Sequence, residues 1–129
     1  MIDSENTADT RRSPCPVSCS LDLLGDKWTL LVVRDLLLGK KTYTEFLKSP
    51  EGIPTNLLAE RLKRLQAAGI VDKSRYQERP VRHAYHLTEK GRDLRPVLLA
   101  MINWGNKYIP GTVTRAQIAA MAPHLVEGE

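Results

Sequence analysis

The chain has little cysteine and no long apolar run, and both shortages narrow the classes of protein to which it can belong. Its two cysteines, Cys15 and Cys19, are too few and too close together for the disulfide framework of a small secreted domain. The stretch LLVVRDLLLG is interrupted by Arg34 and Asp35 and is shorter than the roughly 18 apolar residues of a membrane span. The polar start MIDSENTADTRR also lacks the apolar segment of a signal peptide. We therefore expect a cytoplasmic protein without a membrane partner.

Motifs for catalysis and metal binding are missing as well. We find no glycine-rich phosphate loop, no nucleophile elbow and no pair of acids in an apolar setting. His83, His86, His124 and the two cysteines lack the spacing of a zinc site. The sequence therefore predicts a protein that is not an enzyme and has no metal and no cofactor.

The length and composition fit one globular domain. The chain has 129 residues, of which 42% are hydrophobic and 26% are charged. Residues 1–13 are almost entirely polar, so we expect a flexible arm there. We place the domain at residues 14–109, followed by a tail at 110–129 in which TRAQIAAMA is a weak helical stretch.

The positive charge is confined to one part of the chain. Residues 53–95 hold ten Lys and Arg against five Asp and Glu, whereas the remaining residues hold nine against ten. The net charge of +4 therefore originates in this segment. Such a local excess of positive charge is typical of a nucleic-acid-binding surface.

The order of the predicted elements is that of a winged helix-turn-helix, a mainly α fold with a small β-hairpin (α+β). Apolar periodicity and turn residues predict helices at 15–24, 26–38, 43–48, 54–68 and 88–109, and strands at 70–76 and 81–87. The two strands form the wing, with Arg79 and Pro80 in its turn.

Residues typical of helix ends support these boundaries. Thr42 and Glu45 have the spacing of a capping box before the third helix, and Gly39 and Gly69 follow the second and fourth helices. Pro96 removes one backbone hydrogen bond from the last helix, so we expect a kink there within a single element.

The fourth helix, 54–68, is the predicted recognition helix. If Leu58, Leu62 and Leu65 face the core, the opposite face looks into the major groove. Asn56 suits adenine and Lys63 suits guanine or phosphate. The candidate DNA-binding residues on this helix are Thr55, Asn56, Ala59, Glu60, Lys63 and Arg64.

The hairpin supplies further candidates for DNA contact. Long cations on a two-stranded ribbon can follow the phosphate backbone or enter the minor groove. A basic helix face alone is also typical of a solvated surface, but the basic hairpin beside it favours DNA binding. The candidates, with Arg79 at the tip foremost, are Lys73, Arg75, Arg79, Arg82 and His83.

Four motifs in the sequence carry a family resemblance. The Cys-Pro-Val opening, the GDKWTLL segment, the LxxRLKxLxxAGIV helix and the RPVRHAYHLTEKG wing occur in that order. In residues 14–109 the chain resembles the HxlR-type winged-helix transcriptional regulators. The resemblance implies a homodimer that joins through its first and last helices and binds double-stranded DNA at an inverted repeat.

A surplus of apolar residues in the last helix agrees with this implied dimer, although ordinary core packing is the alternative explanation. A two-fold axis would set the DNA half-sites about 34–36 Å apart. The expected interface residues are Val17, Leu21, Leu98, Met101, Ile102, Trp104 and Tyr108.

The resemblance also bears on the cysteines. Cys15 matches an N-terminal cysteine that some relatives use to sense electrophiles or oxidants. Arg11, Arg12 and the helix N-terminus would favour a reactive thiolate if the side chain is exposed. Cys19 lies on the same helical face, and the alternative for both thiols is a role as small apolar side chains.

The sequence thus favours a dimeric transcription regulator, expected to be a repressor, in which Cys15 could sense redox or electrophile stress. Two alternatives stay open. One is a protein-interaction module of winged-helix shape with no operator. The other is a regulator controlled by a small-molecule effector bound between helices near Trp28 or Trp104.

Overall fold

The protein consists of short helices around one two-stranded antiparallel hairpin. The computed structural model describes residues 11–126, so the predicted arm at 1–13 lies mostly outside the described residues. The elements are α1 Pro16–Leu24, α2 Thr29–Leu37, α3 Tyr43–Leu47, α4 Thr55–Ala67, β1 Val71–Glu78, β2 Val81–Leu87, α5 Glu89–Arg92, α6 Arg95–Tyr108, α7 Arg115–Met121 and α8 Pro123–Val126. The predicted mainly α fold with a β-hairpin is confirmed.

One apolar core joins α2, α3, α4, α6 and the hairpin. Leu58, Leu62 and Leu65 of α4 are almost fully buried in it, and Phe46 of α3 is 1% exposed. The predicted inner face of α4 is therefore confirmed. Each buried leucine stabilises the fold by about 1.5–3 kcal/mol relative to an exposed one.

The second helix begins later than predicted. Residues 26–38 were expected to be helical, whereas α2 starts at Thr29. The Asp26 carboxylate accepts hydrogen bonds from the backbone amides of Trp28 and Thr29 at 3.1 and 3.2 Å. Asp26 thus caps the helix from outside it, because these first amides have no partner within a helix.

The helix-turn-helix pair is formed by α3 and α4. The capping box before α3 is confirmed, since the Glu45 amide donates to Thr42 Oγ1 at 3.3 Å and the Thr42 amide donates to Glu45 Oε1 at 3.1 Å. Helix α4 agrees with the predicted 54–68 to within one residue at each end. Gly69 follows it with a φ of 75°, a conformation that glycine adopts without steric cost.

The hairpin is longer than predicted. Strand β1 continues past Tyr76 to Glu78, because Gln77 and Glu78 pair with Arg82 and Val81 of β2. A bulge at Tyr76 accommodates the extra residue. The amide of Tyr85 donates to the carbonyl oxygen of Lys41 at 2.9 Å, which fixes the hairpin against the segment that precedes α3.

The prediction of one helix at 88–109 was wrong. The structure has α5 and α6, separated at Asp93 and Leu94. Pro96 lies in the first turn of α6, where its missing amide proton costs nothing. A proline that was expected to kink one helix therefore stands at the start of a second one.

The residues after 109, which were predicted to form a tail, are partly packed against the domain. A second capping box, formed by Thr114 and Gln117, starts α7 at the predicted weak helical stretch. Leu125 of α8 is 2% exposed, and His124 Nε2 donates to the carbonyl oxygen of Leu37 at 2.6 Å. Helix α8 is thereby attached to the C-terminal end of α2.

Candidate nucleic-acid interface

The outer face of α4 is open to solvent. Its inner leucines are buried, so the residues about 180° around the helix point away from the core. The side chains of Thr55, Asn56 and Lys63 make no hydrogen bond or ion pair within residues 11–126. Five of the six α4 candidates are exposed, namely Thr55, Asn56, Ala59, Glu60 and Lys63.

Two arginines on the flank of α4 are engaged by one carboxylate. Arg61 Nε donates to Asp26 Oδ2 at 2.8 Å, and Arg64 Nη2 donates to Asp26 Oδ1 at 2.9 Å. The two side chains are 15% and 35% exposed. Asp26 therefore ties α4 to the α1–α2 junction through two ion pairs that are partly shielded from water.

The electrostatic environment of Asp26 favours its charged form. Partial burial acts to raise the pKa of this carboxyl, but hydrogen bonds from Thr29, Arg61 and the Trp28 amide, together with the positive charge of Arg61, outweigh it. The pKa of Asp26 is held well below its ordinary value of 3.8. The carboxylate is consequently ionised wherever the protein is folded near neutral pH.

Arg64 has different contacts from those expected. It was predicted to flank the DNA-facing surface, yet its guanidinium also donates to the carbonyl oxygen of Leu23 at 2.6 Å and to Thr29 Oγ1 at 3.4 Å. Glu60 is exposed and forms an ion pair with Arg61. Arg64 is thus held against the protein, whereas Lys63, its neighbour in sequence, is exposed.

Sequence reasoning missed the Asp26 arrangement. The predicted helices at 15–24 and 26–38 leave a break at Gly25, which is correct, and an aspartate before a helix indicates a cap. However, Arg61 and Arg64 are 35 and 38 residues away in sequence. Only the packing of α4 against the α1–α2 junction brings these groups together.

The basic side chains of the hairpin are exposed to solvent. Arg75 donates weakly to Glu78 at 3.5 Å, while Lys73, Arg79 and Arg82 form no side-chain hydrogen bond or ion pair in the described part of the chain. Arg79 lies in the two-residue loop between the strands, as predicted. His83 is half-buried, and the four basic residues are exposed. The hairpin therefore presents exposed positive charge beside the outer face of α4.

The two thiols differ in accessibility. Cys15 is exposed at the start of α1, and Cys19, one turn later, is half-buried. Cys19 Sγ donates to the carbonyl oxygen of Ser13 at 3.3 Å. Arg12, expected to assist Cys15, pairs with Asp22 at 2.7 Å. Cys15 has the exposure that a sensing thiol requires.

An apolar face lies on α1 and α6. The rings of Trp104 and Tyr108 pack in a tilted arrangement with their centroids 5.3 Å apart, although both are about 60% exposed. Leu98 is different, because it is 8% exposed and belongs to the core of the single chain, which leaves it little surface to offer a partner. The exposed members of the face are Val17, Leu21, Val97, Met101, Trp104 and Tyr108, with Ile102 half-buried.

Cavities near this face differ greatly in size. The cavity beside Trp28 has a volume of about 10 Å³, enough for one water molecule at most. A groove of about 610 Å³ runs between α1, α2 and α6, and another of about 530 Å³ lies between α2, α6 and α7. The expected effector pocket at Trp28 is therefore too small for an effector, whereas the grooves along α6 are large enough.

Within residues 11–126, no cluster of three or more His, Cys, Asp or Glu side chains could hold a metal ion. The longest helix in the same range, α6, has 14 residues, and none of the described helices combines the length and apolar character of a membrane span.

Comparison with known proteins places these features in a family. Residues 23–113 match the family model described as HxlR-like helix-turn-helix. The chain belongs to the HxlR-like helix-turn-helix family. The resemblance found in the sequence is thereby confirmed.

Relatives within the family carry consistent names. Over 94 residues the chain is 39% identical to the uncharacterized HTH-type transcriptional regulator YdeP of Bacillus subtilis, covering 73% of each protein. It is 37% identical over 94 residues to the uncharacterized HTH-type transcriptional regulator Mb3122 of Mycobacterium bovis. That match covers 73% of this chain but only 59% of the mycobacterial protein.

Solved structures show the same architecture. The redox regulator HypR in its reduced form is 36% identical with a TM-score of 0.67, over 72% of this chain and 92% of HypR. The reduced form of the transcriptional regulator YodB from B. subtilis is 33% identical with a TM-score of 0.63, over 78% of this chain and all of YodB. The winged helix-turn-helix fold is therefore shared with transcription regulators.

Proposed function

We propose that this HxlR-like protein is a sequence-specific transcription regulator that binds double-stranded DNA as a homodimer at an inverted repeat. The observation that carries the proposal is the pairing of two surfaces. The outer face of α4 is polar and exposed, and Asp26 fixes the helix through Arg61 and Arg64 on its flank. The hairpin beside it carries four exposed cations. Together these surfaces supply base reading and charge neutralisation, which specific DNA binding requires.

Helix α4 is assigned to the major groove. Asn56 can bond bidentately to adenine, Lys63 can donate to guanine or a phosphate, and the methyl group of Ala59 can contact thymine. Thr55 and the free amides at the start of α4 can bind a phosphate. Glu60 can accept a hydrogen bond from cytosine.

The hairpin is assigned to the flanking backbone. Arg79 lies in the loop at the end of the hairpin, and Lys73, Arg75 and Arg82 follow along the strands. Their exposed charges can neutralise phosphates in any sequence or enter the minor groove. His83, which is half-buried on β2, is a weaker candidate.

The homodimer is supported by the apolar face on α1 and α6. Exposed Trp104, Tyr108 and Met101 are costly to leave in water, and a second copy would cover them through the same surface. This agrees with the twin half-sites of an inverted repeat. Repression is the simpler regulatory role, because it requires only that the bound dimer cover a promoter.

The signal is proposed to act through Cys15. Its thiol is exposed, and HypR, a relative of similar fold, is a redox regulator. Treatment with peroxide or a quinone should then change operator binding by the unaltered chain but not by Cys15→Ser. Equal responses of both proteins would remove Cys15 from the proposal and favour an effector bound in a groove along α6.

The proposal is tested by selecting bound sequences from a random duplex library with purified, reduced protein at about physiological salt. Enrichment of an inverted repeat is expected. Binding should also weaken steeply with salt, with a log-log slope of about 0.9 per phosphate neutralised. A folded protein that enriches no sequence and binds DNA without this salt dependence would instead be a protein-interaction module.

A further inference from the structure

Asp26 joins three helices at one carboxylate. Its Oδ2 atom accepts the amides of Trp28 and Thr29 at the start of α2, and also Arg61 Nε of α4 at 2.8 Å. Its Oδ1 atom accepts Thr29 Oγ1 and Arg64 Nη2 of α4. Arg64 Nη2 in turn donates to the carbonyl oxygen of Leu23 in α1 at 2.6 Å. The end of α1, the start of α2 and the middle of α4 therefore meet at Asp26.

This arrangement fixes the rotation of α4 about its own axis. Leu58, Leu62 and Leu65 bury the helix, but apolar contacts are non-directional and tolerate small rotations. Arg61 and Arg64 lie three residues apart on one flank, so two directional, charge-assisted hydrogen bonds act on adjacent turns. Because α4 is buried along its leucine face and bonded to Asp26 at two points on one flank, it cannot rotate about its axis without breaking one of these hydrogen bonds.

The geometric consequence for DNA reading is large. With side chains, a helix has a radius of about 5–6 Å, so a rotation of about 20° moves an outer atom by about 2 Å. A hydrogen bond to a base edge tolerates only a few tenths of an ångström. Asn56 and Lys63 lie on the outer face and would lose their alignment first.

We propose that Asp26 is a positioning residue that sets the orientation of the recognition helix, and so determines sequence discrimination, without contacting DNA. This rests on the proposed function of α4. It also assigns Arg64 a role that differs from a direct DNA contact, since Arg64 acts as the partner of Asp26.

The proposal predicts different changes in affinity for two kinds of DNA. In Asp26→Asn the amide oxygen can still cap α2, because asparagine is as good a cap as aspartate, but the negative charge that holds Arg61 and Arg64 is gone. Operator binding should weaken. Binding to a scrambled duplex should stay equal or tighten, because the net charge of +4 rises by one and both arginines lose their ion pairs with Asp26. General destabilisation would weaken both.

The experiment measures dissociation constants for the selected operator and for a scrambled duplex over a salt series, with thermal unfolding of each variant. Asp26→Asn is expected to reduce the ratio of operator to scrambled affinity about tenfold or more. An unchanged ratio in a folded Asp26→Asn protein would overturn the proposal. If the unaltered chain itself shows no preference for the operator, the proposed function fails and the inference fails with it.

Arg64→Ala and Lys63→Ala form a matched pair that keeps the test decisive if Asp26→Asn does not fold. Each removes one positive charge from adjacent positions of α4. Arg64→Ala should weaken operator binding and leave the salt slope unchanged. Lys63→Ala should flatten the slope by up to about 0.9 if its target is a phosphate. A flattened slope and equal losses on both duplexes in Arg64→Ala would identify a direct phosphate contact and overturn the proposal.

Discussion

The outer faces of α4 and α6 are both exposed, but their chemistry is opposite. On α4 the exposed residues are small or polar, as in Thr55, Asn56 and Lys63. On α6 they are large and apolar, with Trp104 62% exposed and Met101 54% exposed. Water solvates the outer face of α4 at little cost in free energy, whereas burial of the outer face of α6 would be strongly favourable. The difference agrees with the two proposed partners, a nucleic acid for α4 and a second copy of the chain for α6.

The strongest effect should come from the side of α6 that the chain already buries. Leu98→Ala removes a core side chain that is 8% exposed, so we expect the free energy of unfolding to fall by about 2–5 kcal/mol. Urea unfolding monitored by circular dichroism measures this change. Met101→Ala, one turn later on the exposed face, is the matched control. Comparable destabilisation of the isolated monomer by both changes would mean that α6 does not separate an inner face from an outer one.

A charge placed on the outer face of α6 should break the proposed dimer. Trp104→Glu would bury a carboxylate between two apolar surfaces, which should weaken association by roughly 2–4 kcal/mol, or about 30- to 1000-fold. Sedimentation equilibrium should then show the mass of one chain instead of two, with an unchanged circular dichroism spectrum.

Leu47→Glu makes the same kind of change at an exposed apolar residue of α3, outside this face, and should leave the mass unchanged. A Trp104→Glu protein that stays dimeric would show that the two copies meet elsewhere. The contrast between α4 and α6 would then have another cause.

The contrast between these faces was partly readable from sequence. Leucines at spacings of four and three identify the inside of α4, and the Thr42–Glu45 capping box and Gly69 mark helix ends through local chemistry. These signals act over a few residues, so no other part of the chain can override them easily. The wing was predicted for the same reason.

What the sequence did not predict depends on distant partners. The apolar positions of α6 are divided between core and solvent, and periodicity alone gave no reason to place Leu98 inside and Met101 outside. Arg64 looked like any cation beside the DNA-facing surface, because its partner Asp26 lies in another helix junction. The burial of Leu125 depends likewise on packing of α8 against α2, far away in sequence.

Within the proposed DNA-binding surface, α4 and the hairpin should contribute differently to binding. Asn56→Ala should cost about 1–3 kcal/mol on the selected operator and change the preferred base at one position of each half-site. Arg79→Ala should weaken binding to all sequences and flatten the salt slope by about 0.9. Repeating the selection with each variant, followed by salt titrations, measures both effects. Identical profiles for the two variants would refute the division between reading and positioning.

The smallest predicted effect is the pH dependence of the stabilisation that Asp26 provides through Arg61 and Arg64 of α4. Because the pKa of Asp26 lies below its ordinary value of 3.8 in the folded chain, the unfolded chain binds the proton more readily. The stabilisation by Asp26 is therefore fully present above about pH 5 and is lost as the pH falls below about 4 toward the folded pKa. The direction is that of a carboxylate that folding keeps ionised.

Other carboxylates complicate this measurement in the unaltered chain alone. A hydrogen bond from the Lys41 amide lowers the pKa of Glu45, and one from Arg34 lowers the pKa of Glu51. The difference in unfolding free energy between the unaltered chain and Asp26→Asn cancels these contributions. That difference should be constant from about pH 7 to 5 and should shrink between about pH 4 and 3. A difference that stays constant down to about pH 3 would mean that the negative charge of Asp26 does not stabilise the fold, and that α4 is held by its leucines alone.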